Sequence, residues 1–261
     1  MRERVYRAEG VIIRRSEYGE ADRMLTILTP QGKRRVIAKG IRKTTSRLAG
    51  HVELFTHATL MLAVGRGLDV LTQSVALEQY DLLRGDLVRI GAAYYIAELF
   101  DRFTEEEDEN RRAFSILVAS LQLLNSGANI DLVLRACELH LLDALGYRPQ
   151  LRACAICGET LTEETGHFSP AAGGAICRRC SIGDIGALTM SLATFKLLRY
   201  LQTHEIGAVQ QMSISAETRR ESERLLQAYI RRILERDLKS VAFLEEVRTQ
   251  HVQGATDGVS G

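Results

Sequence analysis

No tryptophan occurs among the 261 residues, and no apolar run is long enough to cross a membrane. A membrane-spanning helix needs about eighteen or more uncharged apolar residues, which no window of this chain approaches. The first residues, MRERVYRAEG, also lack the apolar segment of a signal peptide. We therefore expect a cytosolic protein, in which the five cysteines are thiols or metal ligands and not disulfides.

The motifs of common enzyme families are absent as well. The sequence has no Walker phosphate loop, no G-x-S-x-G and no H-E-x-x-H. The segment AVGRGLD, residues 63–69, lacks the Lys-Ser/Thr ending of a phosphate loop and predicts a hairpin turn. The acidic run TEEEDEN, residues 104–110, is typical of a solvated helix end. A metal-carboxylate nuclease site is the disfavoured alternative. The sequence therefore gives no indication of an enzyme.

The formal net charge of +1 hides an uneven distribution along the chain. Residues 1–80 hold fourteen basic and eight acidic side chains, a balance of +6, whereas the remainder holds twenty basic and twenty-five acidic ones, a balance of −5. A clustered positive field attracts polyanions even where the total charge cancels. The N-terminal segment is thus the cationic part of the chain, and the length and 46% hydrophobic content predict two or three domains.

Residues 1–80 have the pattern of short β-strands. Five segments rich in Val, Ile, Leu and Thr are mostly bounded by turn residues: GVIIRR, RMLTILT, KRRVIAK, ATLMLAV and DVLTQSVALEQ. Five strands in so short a segment indicate a small antiparallel barrel. We expect an OB-like barrel, an architecture that presents a face and loops to single-stranded nucleic acid. An SH3-like barrel and an open sheet are the alternatives, because periodicity does not distinguish them.

From Asp81 onward, apolar residues recur every three or four positions, which indicates helices. The first apolar stripe runs from Leu83 to Phe100, and the later helical segments are RRAFSILVASLQLLN, DLVLRACELHLLDAL, SLATFKLLRYLQTH and SAETRRESERLLQAYIRRILERD. Asp131 is the predicted cap of the third helix, and Ser215 or Thr218 that of the last. The sequence thus predicts an α+β protein.

The predicted domains follow from these patterns. They are an N-terminal OB-like β-barrel (1–80), an all-α domain in two parts (81–150 and 186–250), an inserted four-cysteine zinc-binding segment (151–185) and a mobile tail (251–261).

Four cysteines have the spacing of a zinc site. CAICG and CRRC together give C-x2-C-x19-C-x2-C, and the predicted ligands are Cys154, Cys157, Cys177 and Cys180. A closed four-sulfur site leaves no position for water, so we predict one structural Zn²⁺ that supports folding. A redox dithiol is disfavoured because two C-x-x-C motifs are present without a thioredoxin-like unit, whereas direct DNA binding by the zinc segment stays open.

Two further features bear on the metal site. Arg152, Arg178 and Arg179 are close enough in sequence to offset the negative charge of four thiolates. Cys137 lies on the apolar side of a predicted helix, which indicates a packed thiol and not a fifth ligand.

The stretch QGKRRVIAKGIRKTTSRLAG, residues 31–50, contains seven cations and no acidic residue. The seven are Lys33, Arg34, Arg35, Lys39, Arg42, Lys43 and Arg47. A solvated loop is the simple interpretation, but the interspersed glycines and hydroxyl residues also suit a segment that follows a phosphate backbone. We predict that these seven bind nucleic acid with strong salt dependence and weak sequence specificity. Since the first 80 residues contain only four aromatic side chains, electrostatics should dominate over base stacking.

Several segments resemble the bacterial RecO family of recombination mediators. VIIRRSEYGEADRMLTILTPQGKRRVIAKGIRKTTSRLAGHVELF and LDVLTQSVALE resemble the N-terminal OB-fold of that family, and LLDALGYRPQLRACAICG resembles the entry to its zinc-binding segment. The Tyr-Gly-Glu turn, the basic G-x-R-K run and the L-G-Y-x-P entry to the cysteines carry the resemblance. It extends over nearly the whole chain, with the parts in the same order.

The resemblance implies a non-catalytic DNA-repair factor of the RecF pathway, cytoplasmic and associated with the nucleoid. RecO-like proteins bind single- and double-stranded DNA, anneal complementary strands, associate with RecR and recognise the acidic tail of single-stranded DNA-binding protein, so that RecA can load onto gapped DNA. Carried over to this sequence, the resemblance places the seven basic residues in the DNA-contacting segment and the four cysteines at the zinc positions.

Two other hypotheses come from different functional classes. A zinc-ribbon adaptor would bind another protein through its helices and carry an incidental basic loop. A nucleic-acid enzyme would have its active site in the acidic helical half. Salt-dependent binding to bare oligonucleotides separates the DNA-binding mediator from the adaptor, and metal-dependent cleavage or nucleotide turnover would reveal the enzyme.

Overall fold

The computed structural model describes residues 5–43, 52–162 and 166–257. The chain divides into two compact units. Residues 1–125 and 239–261 form the first, called the barrel unit here, and residues 126–238 form the second, called the cysteine unit. In the described part of the chain, no helix combines the length and the apolar character needed to cross a bilayer.

The barrel unit contains the five strands expected from the sequence. They are β1 (Val5–Tyr18), β2 (Asp22–Thr29), β3 (Gly32–Ala38), β4 (His57–Ala63) and β5 (Asp69–Glu78). They form a closed barrel in the order β1-β2-β3-β5-β4, so the alternative of an open sheet is wrong. The neighbouring pairs are antiparallel except β3 with β5, which is parallel and short. AVGRGLD spans the end of β4, the hairpin turn and the start of β5, as predicted.

The β-branched and leucine residues of the strands fill the barrel interior. Ile12, Leu25, Ile27, Val36 and Leu60 are all fully buried. β1 is 14 residues long and pairs with β4 from Val5 to Val11 and with β2 from Val11 to Tyr18. Its register with β2 shifts between Ile12 and Arg14, as at a β-bulge.

Four helices complete the barrel unit: α1 (Asp81–Arg84), α2 (Leu87–Phe103), α3 (Arg111–Asn125) and α8 (Lys239–Asp257). The predicted apolar stripe from Leu83 to Phe100 is divided between α1 and α2. The division arises at Asp86, whose carboxylate caps α2 by accepting hydrogen bonds from the amides of Val88 (2.8 Å) and Arg89 (3.1 Å). α8 packs on α2, and residues 251–257, expected in the tail, continue this helix.

The cysteine unit combines helices with a small three-stranded sheet. Its elements are α4 (Ile130–Ala144), β6 (His167–Ser169), β7 (Gly174–Ile176), α5 (Arg178–Ser181), β8 (Leu188–Thr189), α6 (Leu192–Thr203), a 3₁₀ helix (Ile206–Gln211) and α7 (Ala216–Leu234). The predicted Asp131 cap of α4 is wrong: Asn129 is the N-cap, and its side chain accepts from the amide of Leu132 at 3.1 Å. Ser215 caps α7, as one of the two predicted candidates.

A buried ion pair lies in the core of the cysteine unit. Arg135 and Glu138 are one helical turn apart on α4, and their side chains are only 2% and 0% exposed. The Nε of Arg135 donates to Oε2 of Glu138 at 2.7 Å, and its Nη1 lies 3.7 Å from Oε1 of Glu223 on α7. The pair therefore links α4 to α7 in an apolar interior.

Candidate nucleic-acid interface and metal centre

The first predicted DNA-binding residue, Lys33, is held inside the barrel unit. Its Nζ donates to the carbonyl oxygen of Asp101 at 2.6 Å and lies 3.2 Å from Oδ1 of the same residue. The Lys33 and Asp101 side chains are 12% and 13% exposed. Arg14 on β1 also contacts this carboxylate, at 2.9 Å. Lys33 thus has a local structural role between β3 and the end of α2.

Arg34 and Arg35 also have carboxylate partners within the chain, but these pairs are open to solvent. Nε of Arg35 lies 2.6 Å from Oε1 of Glu106, with both side chains between 40% and 50% exposed. Nη1 of Arg34 lies 3.8 Å from Oε1 of Glu107, which is 78% exposed. The Arg34 guanidinium also lies over the ring of Tyr6, 5.8 Å from its centre. The acidic run 104–110 follows the end of α2 and its residues 105–109 are exposed, as expected for a solvated helix end, and it also lies beside β3.

The remaining described cations of the basic stretch lie in the turn that follows β3. Lys39, Arg42 and Lys43 are exposed, and Arg42 contacts Glu17 at 3.5 Å. Within the described ranges, neither Lys39 nor Lys43 has a carboxylate within ion-pair distance. The turn is ordered through its backbone: the amide of Gly40 donates to Oδ1 of Asp22 at 2.7 Å. Arg47, the seventh predicted residue, lies outside the described residues.

Arg23 is a nearby cation that the sequence analysis did not select. It lies on β2 directly opposite Ala38, next to the turn containing Lys39. In the part of the chain that the structure describes, it too has no carboxylate partner. Only the register of β2 with β3 shows that Arg23 is close to the turn, because in the sequence it stands ten residues before Lys33 in an ordinary strand pattern.

The four predicted metal ligands converge in the cysteine unit. The sulfur atoms of Cys154, Cys157, Cys177 and Cys180 all lie within 4.8 Å of one another. The Sγ atoms of Cys157 and Cys177 are 3.8 Å apart. Tetrahedral coordination with metal–sulfur bonds of about 2.3 Å requires sulfur–sulfur distances of about 3.8 Å, so the cluster has the dimensions of a four-thiolate metal site.

The backbone brings the two C-x-x-C segments together. The amide of Ala155 donates to the carbonyl of Ala175 on β7 at 2.9 Å, which joins the first segment to the strand preceding the second. Gly158 has a φ of 75°, the left-handed conformation that favours glycine, and its amide closes the first turn on the carbonyl of Cys154 at 2.9 Å. Cys177 immediately precedes α5, which carries Cys180.

The local electrostatics favour some thiolate charge but not four thiolates in the absence of a cation. Burial acts to raise the pKa of Cys154, yet hydrogen bonds from the amides of Cys157, Cys177 and Ile156 outweigh it and lower the pKa to about 6. Hydrogen bonding to Cys177, with smaller effects of lost solvent and the other cysteines, raises the pKa of Cys180 to about 12. A bound divalent cation would supply the charge that allows all four to ionise.

Of the three arginines expected to offset the thiolate charge, Arg179 interacts with a cysteine of the cluster, whereas Arg152 lines a different cavity, with Arg199 and Tyr200. Arg179 contacts Glu159 at 3.4 Å, and hydrogen bonding to Cys157 raises the pKa of this guanidinium. Arg178 and Cys177 line the same open cavity of about 570 Å³. Cys137 is fully buried in α4 and does not belong to the cluster.

Comparisons with known proteins agree with this organisation. The family model described as "Recombination protein O N terminal" matches residues 1–80, and the one described as "Recombination protein O C terminal" matches residues 84–242. The chain belongs to the RecO family. The boundary between the two RecO models falls where β5 ends and α1 begins.

Curated RecO relatives cover nearly the whole chain. The DNA repair protein RecO of Roseiflexus sp. (strain RS-1) is 63% identical over 248 residues, which cover 95% of this chain and 88% of the relative. The protein of the same name from Dehalococcoides mccartyi (strain BAV1) is 36% identical, with 93% and 96% covered, and that from Bacillus pumilus is 32% identical, with 93% and 94% covered. The family models are named for recombination, and these relatives are named as DNA repair proteins.

Proposed function

We propose that this RecO-family chain is a recombination mediator that binds single- and double-stranded DNA and anneals complementary strands. With RecR, it helps RecA to load onto gapped DNA that is coated by single-stranded DNA-binding protein. It would act in the cytoplasm, at the nucleoid. The observation that carries the proposal is the exposed turn after β3, where Lys39 and Lys43 have no carboxylate partner in the described residues.

The barrel itself supports a nucleic-acid role. A five-stranded closed barrel in the order β1-β2-β3-β5-β4 is the arrangement expected of an OB-fold, in which one face and its loops bind oligonucleotides. The cationic turn lies between β3 and β4, at one end of this barrel.

The seven predicted DNA contacts have different roles in this proposal. Lys39, Arg42 and Lys43 would contact phosphates first because they are exposed. Arg47, four residues after Lys43 in the sequence, is proposed to extend this contact. Lys33 would serve the local structure, since Asp101 already encloses its ammonium group. Arg34 and Arg35 would contact DNA only when phosphates displace their carboxylate partners, Glu107 and Glu106.

Annealing follows from charge placement alone. Two complementary strands repel each other through their phosphates, so a surface that neutralises part of this charge lowers the barrier to their encounter. No bond is made or broken by the protein, which agrees with the absence of catalytic motifs in the sequence.

The cysteine cluster is proposed to hold one structural Zn²⁺. Four sulfur ligands at these separations complete a tetrahedral shell and leave no position for a reacting water, so the ion would stabilise the local fold. Cys154, Cys157, Cys177 and Cys180 would be the ligands.

A groove in the barrel unit is the proposed binding site for the acidic tail of single-stranded DNA-binding protein. Its volume is about 670 Å³, and its apolar lining includes Ile13, Leu54, Tyr94 and Phe243. Four basic side chains line the groove. Arg14, Arg15 and Arg102 have carboxylate partners within the chain, so Lys239 is the cation proposed to meet an acidic peptide there. Phe243→Ala should weaken binding of that tail peptide, and unchanged binding would reject this assignment.

DNA binding through the turn is tested with Lys39→Ala/Lys43→Ala. We expect weaker binding to a single-stranded oligonucleotide and slower annealing, with the slope of log affinity against log salt reduced by about 1.4, because two phosphate contacts are lost. Arg232→Ala/Arg236→Ala removes two exposed cations from the cysteine unit and is the matched control. Equal affinities of the two variants would reject the turn as the site, and no binding by wild-type protein in dilute buffer would favour the zinc-ribbon adaptor.

A further inference from the structure

The acidic residues that follow α2 lie alongside the basic strand β3. Residues 105–109, called the acidic strap here, consist of three glutamates, an aspartate and a fourth glutamate. The amide of Lys33 donates to the carbonyl of Glu105 at 3.4 Å, and the amide of Glu107 donates to the carbonyl of Lys33 at 3.1 Å. The strap thus forms a short parallel bridge with β3, centred on Lys33 and Glu106.

The turn between β2 and β3 is shaped to accept the strap backbone. A Cβ atom on Gly32 would lie 2.6 Å from the amide nitrogen and 2.7 Å from the carbonyl oxygen of Asp108, closer than real Cβ contacts allow. Gly32 also has a φ of 105°, which other residues rarely adopt. The strap backbone is therefore seated against β3 at two successive positions, Gly32 and Lys33.

The strap side chains hold the cations of β3 in two different ways. Lys33 is enclosed with Asp101 and has little access to solvent. Arg34 and Arg35 contact Glu107 and Glu106, and the carboxylates in these two pairs are 78% and 47% exposed. Exposed pairs of this kind are weak and screened by salt, so a strand that carries many phosphates can compete for the same guanidinium groups.

We propose that the acidic strap is a built-in competitor of nucleic acid: Glu106 and Glu107 occupy Arg35 and Arg34 and lower the affinity of this surface for phosphates. The inference rests on the proposed DNA binding and concerns its regulation. A tethered carboxylate is present at high local concentration, so a ligand with one or two phosphates loses the competition. A long strand that already contacts the turn at Lys39 and Lys43 places many phosphates nearby and succeeds. The strap would thus favour long polynucleotides over nucleotides.

The test compares Glu106→Gln/Glu107→Gln with Glu245→Gln/Glu246→Gln, which removes the same two negative charges from the exposed side of α8. Glutamine keeps the size of glutamate and one carbonyl acceptor but carries no charge, and thermal unfolding checks that both variants remain folded. In dilute buffer, the strap variant should bind a thirty-residue oligothymidylate about two- to thirtyfold more tightly than wild type. The α8 variant should bind like wild type.

A double-mutant cycle identifies the origin of the gain. Combining the strap variant with Arg34→Ala/Arg35→Ala should abolish the increase in affinity, because the released guanidinium groups are no longer present. A gain that persists without the two arginines would overturn the competition and point to general repulsion by the strap.

The remaining outcomes separate this inference from the proposed function. If wild type and both glutamine variants bind the oligothymidylate equally, the strap is not a competitor, while DNA binding stands. If none of them binds, the proposed DNA binding fails and the inference falls with it.

Discussion

Lys33 and Asp101 are joined by two contacts, because the Lys33 ammonium group lies 2.6 Å from the backbone carbonyl oxygen and 3.2 Å from Oδ1 of the same residue. The contact connects β3 to the last turn of α2. A lysine chosen from the sequence as a DNA contact is therefore an internal link of the barrel unit.

Replacing Lys33 by alanine should reduce stability more than DNA binding. The substitution leaves the Asp101 carboxylate with one cation fewer in a poorly solvated position, and we expect the free energy of unfolding to fall by about 2 kcal/mol. Urea denaturation measures this loss. Lys39→Ala, which removes an exposed cation, is the control and should leave the denaturation midpoint unchanged while weakening DNA binding. The reverse pattern would show that Lys33 is a DNA contact.

The difference between Lys33 and Lys39 illustrates what the sequence could and could not predict. The positions of the five barrel strands and of α2, α3, α4, α6 and α7 followed from local patterns, whereas α8 and the small sheet of β6, β7 and β8 were not predicted. The spacing of Cys154, Cys157, Cys177 and Cys180 predicted a cluster that the structure brings together. The partners of the basic residues depend on tertiary placement: Asp101 and Glu106 lie about seventy positions after β3. No periodicity connects segments so far apart.

The groove proposed for the partner tail was also beyond sequence analysis. It combines Ile13 on β1, Tyr94 on α2 and Phe243 on α8, so its lining comes from both ends of the chain. The predicted cap of α4 was wrong for a local reason. Asn129 and Asp131 are both good capping residues, and the choice between them depends on where the first helical turn begins.

Metal removal should destabilise the cysteine unit. Zinc analysis of purified protein should give one ion per chain, and Cys177→Ser should lose the ion because it removes one of four ligands. A strong chelator should lower the unfolding temperature of wild type and have little effect on that variant. Cys137→Ala, which changes a buried thiol outside the cluster, should retain the metal. Retention of full zinc content by Cys177→Ser would contradict the four-thiolate assignment.

Removing only one partner of the buried Arg135–Glu138 pair should lower the free energy of unfolding strongly. Glu138→Ala leaves the Arg135 guanidinium in an apolar interior with the more distant Glu223 carboxylate, and we expect a loss of about 3 to 5 kcal/mol in unfolding free energy. Arg135→Met/Glu138→Leu removes both charges of the pair and should cost less than the single change, because the charge that loses a partner is then the Glu223 carboxylate, which is 15% exposed, and not a fully buried guanidinium. Chemical denaturation of both variants provides the comparison. Equal losses would mean that shape, and not charge, sets the cost.

Tyr6 should make the barrel unit sensitive to alkaline pH. Burial and a hydrogen bond donated to Asp69 raise the pKa of Tyr6 to about 12, although the nearby Arg34 acts in the opposite direction. An unfolded tyrosine has a pKa of about 10, so the folded state holds the proton more tightly. The resulting stability is complete below pH 10 and is lost as the pH rises through 12.

Tyr6→Phe cannot ionise, and its unfolding free energy should therefore fall less steeply between these two pH values than that of wild type. Tyr18→Phe, at an exposed position of the same strand, should keep the wild-type slope. Identical slopes for all three proteins would show that Tyr6 ionises equally in the folded and unfolded chain.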